Sequence, residues 1–196
     1  MNTFLHSQNP NIKPLEFIEK VLSFCDTGNA LDLGAGTGRN AIFLAKKGFK
    51  VVALDLSGQS VDELTQYSAR EGLSLKTFVY NLATNTPDFS NYNIILFTFI
   101  LHYISKERGE ELIATAQKQA NTGTIHALAV ITTEGDFFAK ETQKKNFYLE
   151  PGNLAKKYEK EGWTVLSSFE ENRAMAIKNA DGTQMKNLVS FLIARK

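Results

Sequence analysis

The stretch Leu31-Asp32-Leu33-Gly34-Ala35-Gly36-Thr37-Gly38-Arg39 constrains this chain more than any other. It reads as a short buried strand, a glycine-rich turn and the first turn of a helix. Glycines at 34, 36 and 38, directly between strand and helix, are more than a tight connection needs. Glycine lets a ligand lie against bare backbone, and the free N–H groups of a helix start can bond to it. A second carboxylate, Asp55, closes the next apolar run. At the end of a second strand, a carboxylate can accept hydrogen bonds from both hydroxyls of a ribose. Together these residues plan a site for a nucleoside-bearing cofactor.

The pattern departs from the dinucleotide fingerprint G-x-G-x-x-G, whose last small residue lets helix and strand pack closely. Here the run is Gly34-x-Gly36-x-x-Arg39, with an arginine in the packing position. Asp32 stands where it would repel a pyrophosphate and attract a cation such as the ammonium of an amino acid. S-adenosylmethionine meets that description: it has an α-amino group, a sulfonium and an adenosine, and no phosphate. A nicotinamide dinucleotide does not.

Around this junction the chain alternates. Apolar spacing predicts a helix over 14–25, with Pro14 in its first turn and Cys25 as a small buried hydrophobe. Strands follow at 30–33, 49–54, 75–80 and 94–99, and helices at 38–47, 60–70 and 106–120. Gly48 and Gly72 stop two of the helices, Ser60-Val-Asp-Glu63 reads as a capping box, and Ser105 as a cap. A fifth strand covers 125–132. Residues 133–150 break the rhythm and read as a long connection without regular helix, of the kind used as a lid. A helix over 152–161 and strands at 163–169, 175–178 and 185–194 complete the chain, the last two joined at Ala180-Asp181-Gly182. The expectation is a single α/β domain over 1–196. It is a three-layer sandwich with a mostly parallel seven-stranded sheet, helices on both faces and an antiparallel C-terminal hairpin edge. Residues 1–12 are read as a loose arm.

Composition narrows the function. Net charge is +1, so nothing suggests a broad grip on nucleic acid or an anionic membrane. Lysines 156, 157 and 160 sit among Glu150, Glu159 and Glu161, as on a solvated helix face, and Lys144-Lys145 stands alone. One cysteine excludes an internal disulfide and a cysteine metal site, and no metal is expected. The strongest apolar run, Ile94 to Ile104, is short and broken by His102. The N-terminal residues lack the pattern of a signal peptide. A soluble cytoplasmic protein, monomer or homodimer, is the expectation.

Asp32-Leu-Gly-Ala-Gly-Thr-Gly38 with Asp55 resembles the first two motifs of the class I, Rossmann-like S-adenosylmethionine-dependent methyltransferases. More narrowly, Leu31 to Ala45 and Asp181 to Lys196 resemble the tellurite-resistance (TehB-like) methyltransferases, on Gly38-Arg39-Asn40 and on Ser190-Phe-Leu-Ile-Ala-Arg-Lys196. That resemblance implies that Asp32, Gly34 and Gly36 line the methionine and ribose of the cofactor, with Arg39 and Asn40 beside them. Asp55 and Leu56 would hold the ribose and the adenine edge. Asn81, followed by Leu82, takes the place of an aspartate that faces the adenine amino group. An asparagine carbonyl can accept the same bond. Thr98 and Phe99 would lie under the sulfonium and the transferred methyl.

His102 is the candidate base, with a role as a polar residue closing the fourth strand as its rival reading. Tyr103, Phe137, Phe138, Phe147 and Tyr148 are candidates for an acceptor wall. His6 and His126 are weaker candidates, one in the arm and one opening an apolar strand. Near its last turn the family carries Glu-Leu-His-Arg, with charges suited to an oxyanion. This chain has Ala174-Met175-Ala176-Ile177 there, flanked by Arg173 and Lys178.

The reading is methyl transfer from S-adenosylmethionine, leaving S-adenosylhomocysteine, to a small-molecule acceptor: tellurite, selenite or another soft nucleophile. Two alternatives stand beside it, a nicotinamide-dependent oxidoreductase and a domain that only binds S-adenosylmethionine. A nucleic-acid methyltransferase is disfavoured. Thr98-Phe-Ile-Leu101 occupies the place of its Asn/Asp-Pro-Pro-aromatic acceptor motif.

Overall fold

A computed structural model describes residues 13–142 and 145–196. Seven strands form one mixed sheet in the order β3-β2-β1-β4-β5-β7-β6. They are β1 (Asn29–Leu33), β2 (Lys50–Asp55), β3 (Leu75–Val79), β4 (Ile94–Thr98), β5 (Ile125–Gly135), β6 (Thr164–Lys178) and β7 (Gln184–Arg195). The helices are α1 (Glu16–Val21), α2 (Arg39–Lys46), α3 (Gly58–Arg70), α4 (Lys106–Gln119), α5 (Asp136–Lys140) and α6 (Asn153–Lys160). This is the α/β plan read from the alternation, with the antiparallel hairpin at the C-terminal end. The loose arm expected over 1–12, with His6, lies outside the described residues. The chain forms two compact units, Met1–Leu96 and Phe97–Lys196.

In the first unit, β1 pairs in parallel with β2, and β2 with β3. From Ala30 to Leu33 every β1 residue is buried, as a strand covered on both faces requires. The chain then turns on Gly34, Gly36 and Gly38, all at positive φ. Gly38 is the N-cap of α2, and a Cβ there would stand 2.4 Å from Leu64 Cδ1. Only a bare backbone lets α3 pack this closely on the start of α2.

Two expectations are corrected here. The first helix runs only from Glu16 to Val21, and Pro14 lies outside it. Ser23 and Phe24 bond back to Lys20 and Val21 in tighter turns, which leaves Cys25 half-buried and not in the core. Helix α3 starts at Gly58, with Ser57 and not Ser60 as its cap. The Ser57 hydroxyl accepts the Ser60 N–H at 3.2 Å, so the helix begins almost where β2 ends.

In the second unit β7 pairs antiparallel with both β5 and β6. The segments expected at 163–169 and 175–178 are one long strand, β6, bent by register shifts. It occupies the sheet edge, where a polar run such as Glu170-Glu171-Asn172-Arg173 continues a strand as well as an apolar one does. Residues 133–150 also differ from expectation. Strand β5 runs on through Gly135, and α5 follows at once. The return is pinned by backbone bonds of 3.0 Å from Phe147 N–H to Ile104 O and from Thr133 N–H to Leu149 O. Phe147, expected in an acceptor wall, is instead wholly buried in the core. Its ring fills the space that a side chain on Gly109 of α4 would need.

Candidate functional site

The first unit gathers the glycine turn and both acidic residues at the C-terminal ends of β1 and β2. Leu33 pairs with Leu54 in the parallel register, so the turn after β1 faces the last residue of β2. Asp55 spans that gap. Its Oδ2 accepts the Gly36 N–H at 2.7 Å, and its Oδ1 accepts the Ser57 N–H at 2.8 Å. An ionised carboxylate has about four lone-pair positions, so two remain for a ligand diol. At Gly36 a Cβ would meet nothing within 4 Å, so the space above the turn is open.

Asp32 is buried, with 1% of its surface exposed, and neither carboxylate oxygen has a hydrogen-bond partner among the described residues. Burial pushes its pKa up to about 7. The Arg39 guanidinium and the Ala41 amide pull it back only in part, and the nearby charge of Asp55 raises it slightly. The amide approaches without completing a hydrogen bond of ordinary geometry. An orphaned buried carboxylate is costly, and a cationic ligand group is what would offset the cost. The residues present therefore fit S-adenosylmethionine: a buried carboxylate that lacks a hydrogen bond and whose charge Arg39 offsets only in part, an open glycine turn and a carboxylate with lone pairs to spare.

The other expected residues fall as follows. Leu56 is 66% exposed, an apolar side chain presented to solvent beside Asp55. Asn81 accepts the Ala83 N–H on its Oδ1 at 2.9 Å and opens a turn, while Leu82 is buried. Asn40 is buried too, and its Oδ1 accepts the Leu15 N–H at 3.1 Å, tying the start of α1 to α2.

Thr98, Phe99 and His102 belong to the second unit. Thr98 is buried at the end of β4. Phe99 alone among the described non-glycine residues has positive φ, at 55°. Its N–H bonds to Ala129 O at 2.9 Å, which holds the ring over Phe191 in an edge-to-face contact. A phenylalanine in this conformation stores strain on the order of 1–3 kcal/mol, a feature that clusters at functional sites. His102 is buried in a short 3-10 turn, and burial lowers its pKa to about 4 against a small opposing pull from Glu141. Its ring is therefore neutral at pH 7.

Four aromatic rings surround His102 or its neighbours. Tyr103 stands 4.1 Å from it, Phe137 5.9 Å edge-to-face and Tyr148 6.5 Å, and Phe138 packs on Tyr148 at 5.0 Å. Asn146 Nδ2 donates to His102 O at 3.0 Å. The Tyr148 hydroxyl donates to Glu141 Oε2 at 3.3 Å.

Three polar residues here escaped the sequence reading. Asn146 and Glu141 sit in a polar run that gives no pattern to read. Asn187 did leave a signal, an asparagine in step with Met185 and Val189 just before the apolar run Leu188 to Ala194. It is wholly buried. Its Oδ1 accepts the Phe138 N–H at 3.0 Å, and its Nδ2 donates to Thr132 O and Leu188 O at 2.9 and 3.0 Å. Asn187→Ala is expected to lower stability by about 2 kcal/mol, the cost of leaving buried groups unpaired. Urea unfolding measures it, and amide exchange at Phe138 should rise first.

The family described as Tellurite resistance protein TehB matches residues 9–192. The chain belongs to the TehB family. Among curated TehB-family relatives, it is 26% identical over 186 residues to the "Probable S-adenosyl-L-methionine-dependent methyltransferase TehB" of Haemophilus influenzae. That match covers 90% of this chain and 59% of the relative. It is 27% identical over 174 residues to "Hemagglutinin 1" of Eikenella corrodens, covering 85% of this chain and 54% of that one. The crystal structure of TehB from Haemophilus influenzae superposes with a TM-score of 0.78 at 22% identity, over 93% of this chain and 62% of that one, and shares its fold. The chain spans 59% of the length of the curated TehB relative. Among the described residues of this TehB-family chain, no helix is long and apolar enough to cross a membrane.

Proposed function

We propose that this chain is an S-adenosylmethionine-dependent methyltransferase acting on a small-molecule acceptor. The observation that carries the reading is the unpartnered, buried carboxylate of Asp32 beside a glycine turn that Asp55 braces. When bound, S-adenosylmethionine supplies a methyl group activated by a positive sulfur.

The chain's own residues then hold and orient. Asp32 takes the α-ammonium, and its ionisation is restored by that charge. Gly34 and Gly36 keep the turn bare, and Arg39 and Asn40 fix the start of the helix behind it. Asp55 accepts the ribose hydroxyls, Leu56 covers the adenine, and Asn81 and Leu82 flank its far edge. Thr98 and Phe99 are assigned to the methyl end, and His102 to the acceptor.

Holding two reactants in line can supply on the order of 7–11 kcal/mol, so a positioned acceptor needs little further help. His102 orients more than it deprotonates, because a ring that binds a proton only near pH 4 is a weak base at pH 7. An acceptor that is already nucleophilic suits such a site. Tellurite and selenite, the acceptors suggested by the family resemblance, are tested in the same assay.

Asp55→Ala removes a ribose acceptor and frees the Gly36 and Ser57 amides. Calorimetric titration is expected to give at least about ten-fold weaker cofactor binding. Unchanged affinity would sink the assignment. Release of S-adenosylhomocysteine with any acceptor separates the enzyme from a domain that only binds.

A further inference from the structure

We propose that β6 is a self-recognition edge, on which a second copy of this chain adds its own β6 antiparallel across a two-fold axis at Asn172. The inference does not depend on the methyltransferase reading.

Strand β6 ends the sheet, so one row of its backbone groups faces β7 and the other has no described strand beside it. It is long for such a position, at 15 residues against five for β3 at the opposite edge. Natural edge strands are commonly kept short, or blunted by bulges, proline or charge. The register shifts of β6 fall at Val165/Ser167 and Ala174/Lys178, which leaves Ser167 to Ala174 unbroken. No proline interrupts the strand, and Glu170, Glu171 and Asn172 in its middle are exposed.

Charge is what should deter pairing here, and it is arranged to cancel. A two-fold axis normal to the sheet keeps every side chain on its own face. Residues that stand opposite in the two copies must then lie an even number of positions apart, so the axis passes through a residue. With Asn172 on the axis, Glu171 of each copy stands opposite Arg173 of the other, on one face and in two equivalent pairs. The Asn172 side-chain amides, each both donor and acceptor, meet across the axis. An axis at Glu170, Glu171 or Arg173 would instead set that charge against its own copy, which is destabilising.

The side chains are already placed for this. Arg173 and Glu171 are bridged at 3.2 Å within one copy, and pairing joins the two bridges into one network of four charges. Phe191 steadies the arginine, its ring centre 5.4 Å from the guanidinium carbon. Glu170 is taken up within its own chain, where its Oε1 accepts the Gly152 N–H at 2.7 Å and the Ser190 hydroxyl. It would stand opposite the uncharged Ala174 of the other copy. The exposed ring of Phe169 would reach the other strand near Met175.

Sedimentation equilibrium of the full chain is the test. The unmodified protein is expected to show a concentration-dependent equilibrium between monomer and dimer. Protein that stays monomeric at every concentration would overturn the proposal. Glu171→Arg and Arg173→Glu are each expected to weaken the dimer at least about ten-fold, because each sets like charges opposite in both pairs. The two single variants should associate when mixed, and a chain carrying both substitutions should pair with itself. Circular dichroism confirms that each variant is folded. A dimer unmoved by both single substitutions would overturn the interface, as would folded single variants that do not associate on mixing. A second measurement fixes the register without altering a charge. In a Cys25→Ser background, Asn172→Cys is expected to form a disulfide between copies under mild oxidation, since opposed residues stand about 4.5–5.5 Å apart at Cα. Ser168→Cys, far from its own copy, should not. Equal crosslinking of the two would overturn the placement of the axis.

Discussion

Asp32→Asn is expected to weaken binding of S-adenosylmethionine about a hundred-fold while making the free protein more stable at neutral pH. The two effects share one cause. In the folded chain this carboxyl is buried without a hydrogen bond, and it holds its proton up to about pH 7. In the unfolded chain it loses the proton near 3.8, the ordinary value. Between those values the folded state keeps a proton that the unfolded state has released, so stability falls as pH rises. Above pH 7 the free protein carries the whole penalty, on the order of a few kcal/mol. Asparagine carries no charge, so most of that penalty goes. Its unpaired amide returns some of it, leaving a net gain on the order of 1 kcal/mol. The same change removes the buried carboxylate assigned to the ammonium. Differential scanning calorimetry at pH 7.5 and calorimetric titration read the two sides. A variant both less stable and unimpaired in binding would mark Asp32 as a plain structural residue. A corollary concerns the unmodified protein: cofactor binding below pH 7 should release a proton, so affinity should fall as pH drops from 7 toward 5.

The glycine turn and Asp55 were legible because their relation is set by the shortest rules of the fold. Successive parallel strands with a right-handed crossover bring their C-terminal ends together, so a turn after β1 and an acid ending β2 meet. What the sequence did not disclose depends on partners far along the chain. Helix α5 is too short to announce itself, and its Phe138 amide is fixed by Asn187, 49 residues away. Strand β6 reads as two pieces because its middle is polar, yet as an edge strand it needs hydrogen bonds to β7 more than an apolar face. The start of α3 was misplaced because Ser57 and Ser60 offer the same chemistry. Asp55 decides between them by accepting the Ser57 amide. The burial of Asp32 is a further case: an acid within a strand is ordinary in sequence, and only packing leaves its oxygens without a hydrogen bond.

His126 should make the protein acid-labile, with a sign opposite to that of Asp32. Its ring is wholly buried between Trp163, at 4.3 Å, and Phe97, at 5.8 Å. Nδ1 shares a hydrogen bond of 2.9 Å with the Tyr158 hydroxyl, while Nε2 has no partner among the described residues. Protonation turns both nitrogens into donors, one of them with nothing to bond. Burial, with the charge of Lys196, lowers the ring's pKa to about 3 from 6.5, and His102 is lowered to about 4. Below pH 6.5 the unfolded state takes up protons that the folded state refuses, so stability is lost as pH falls. By pH 4 the His126 contribution alone is about 3 kcal/mol, and His102 adds a somewhat smaller amount. Asp32 returns part of this over the same range, because its protonation relieves a buried charge. The two effects separate by substitution. Asp32→Asn should steepen the loss of stability between pH 7 and pH 4, since the compensating group is gone. His126→Gln, whose side-chain oxygen can still accept from Tyr158, should flatten it. Trp163 is the sole tryptophan and touches the His126 ring, so its fluorescence follows this transition in urea at each pH. Identical slopes in the unmodified protein and in His126→Gln would show that the ring is free to protonate in the folded state, contrary to its burial.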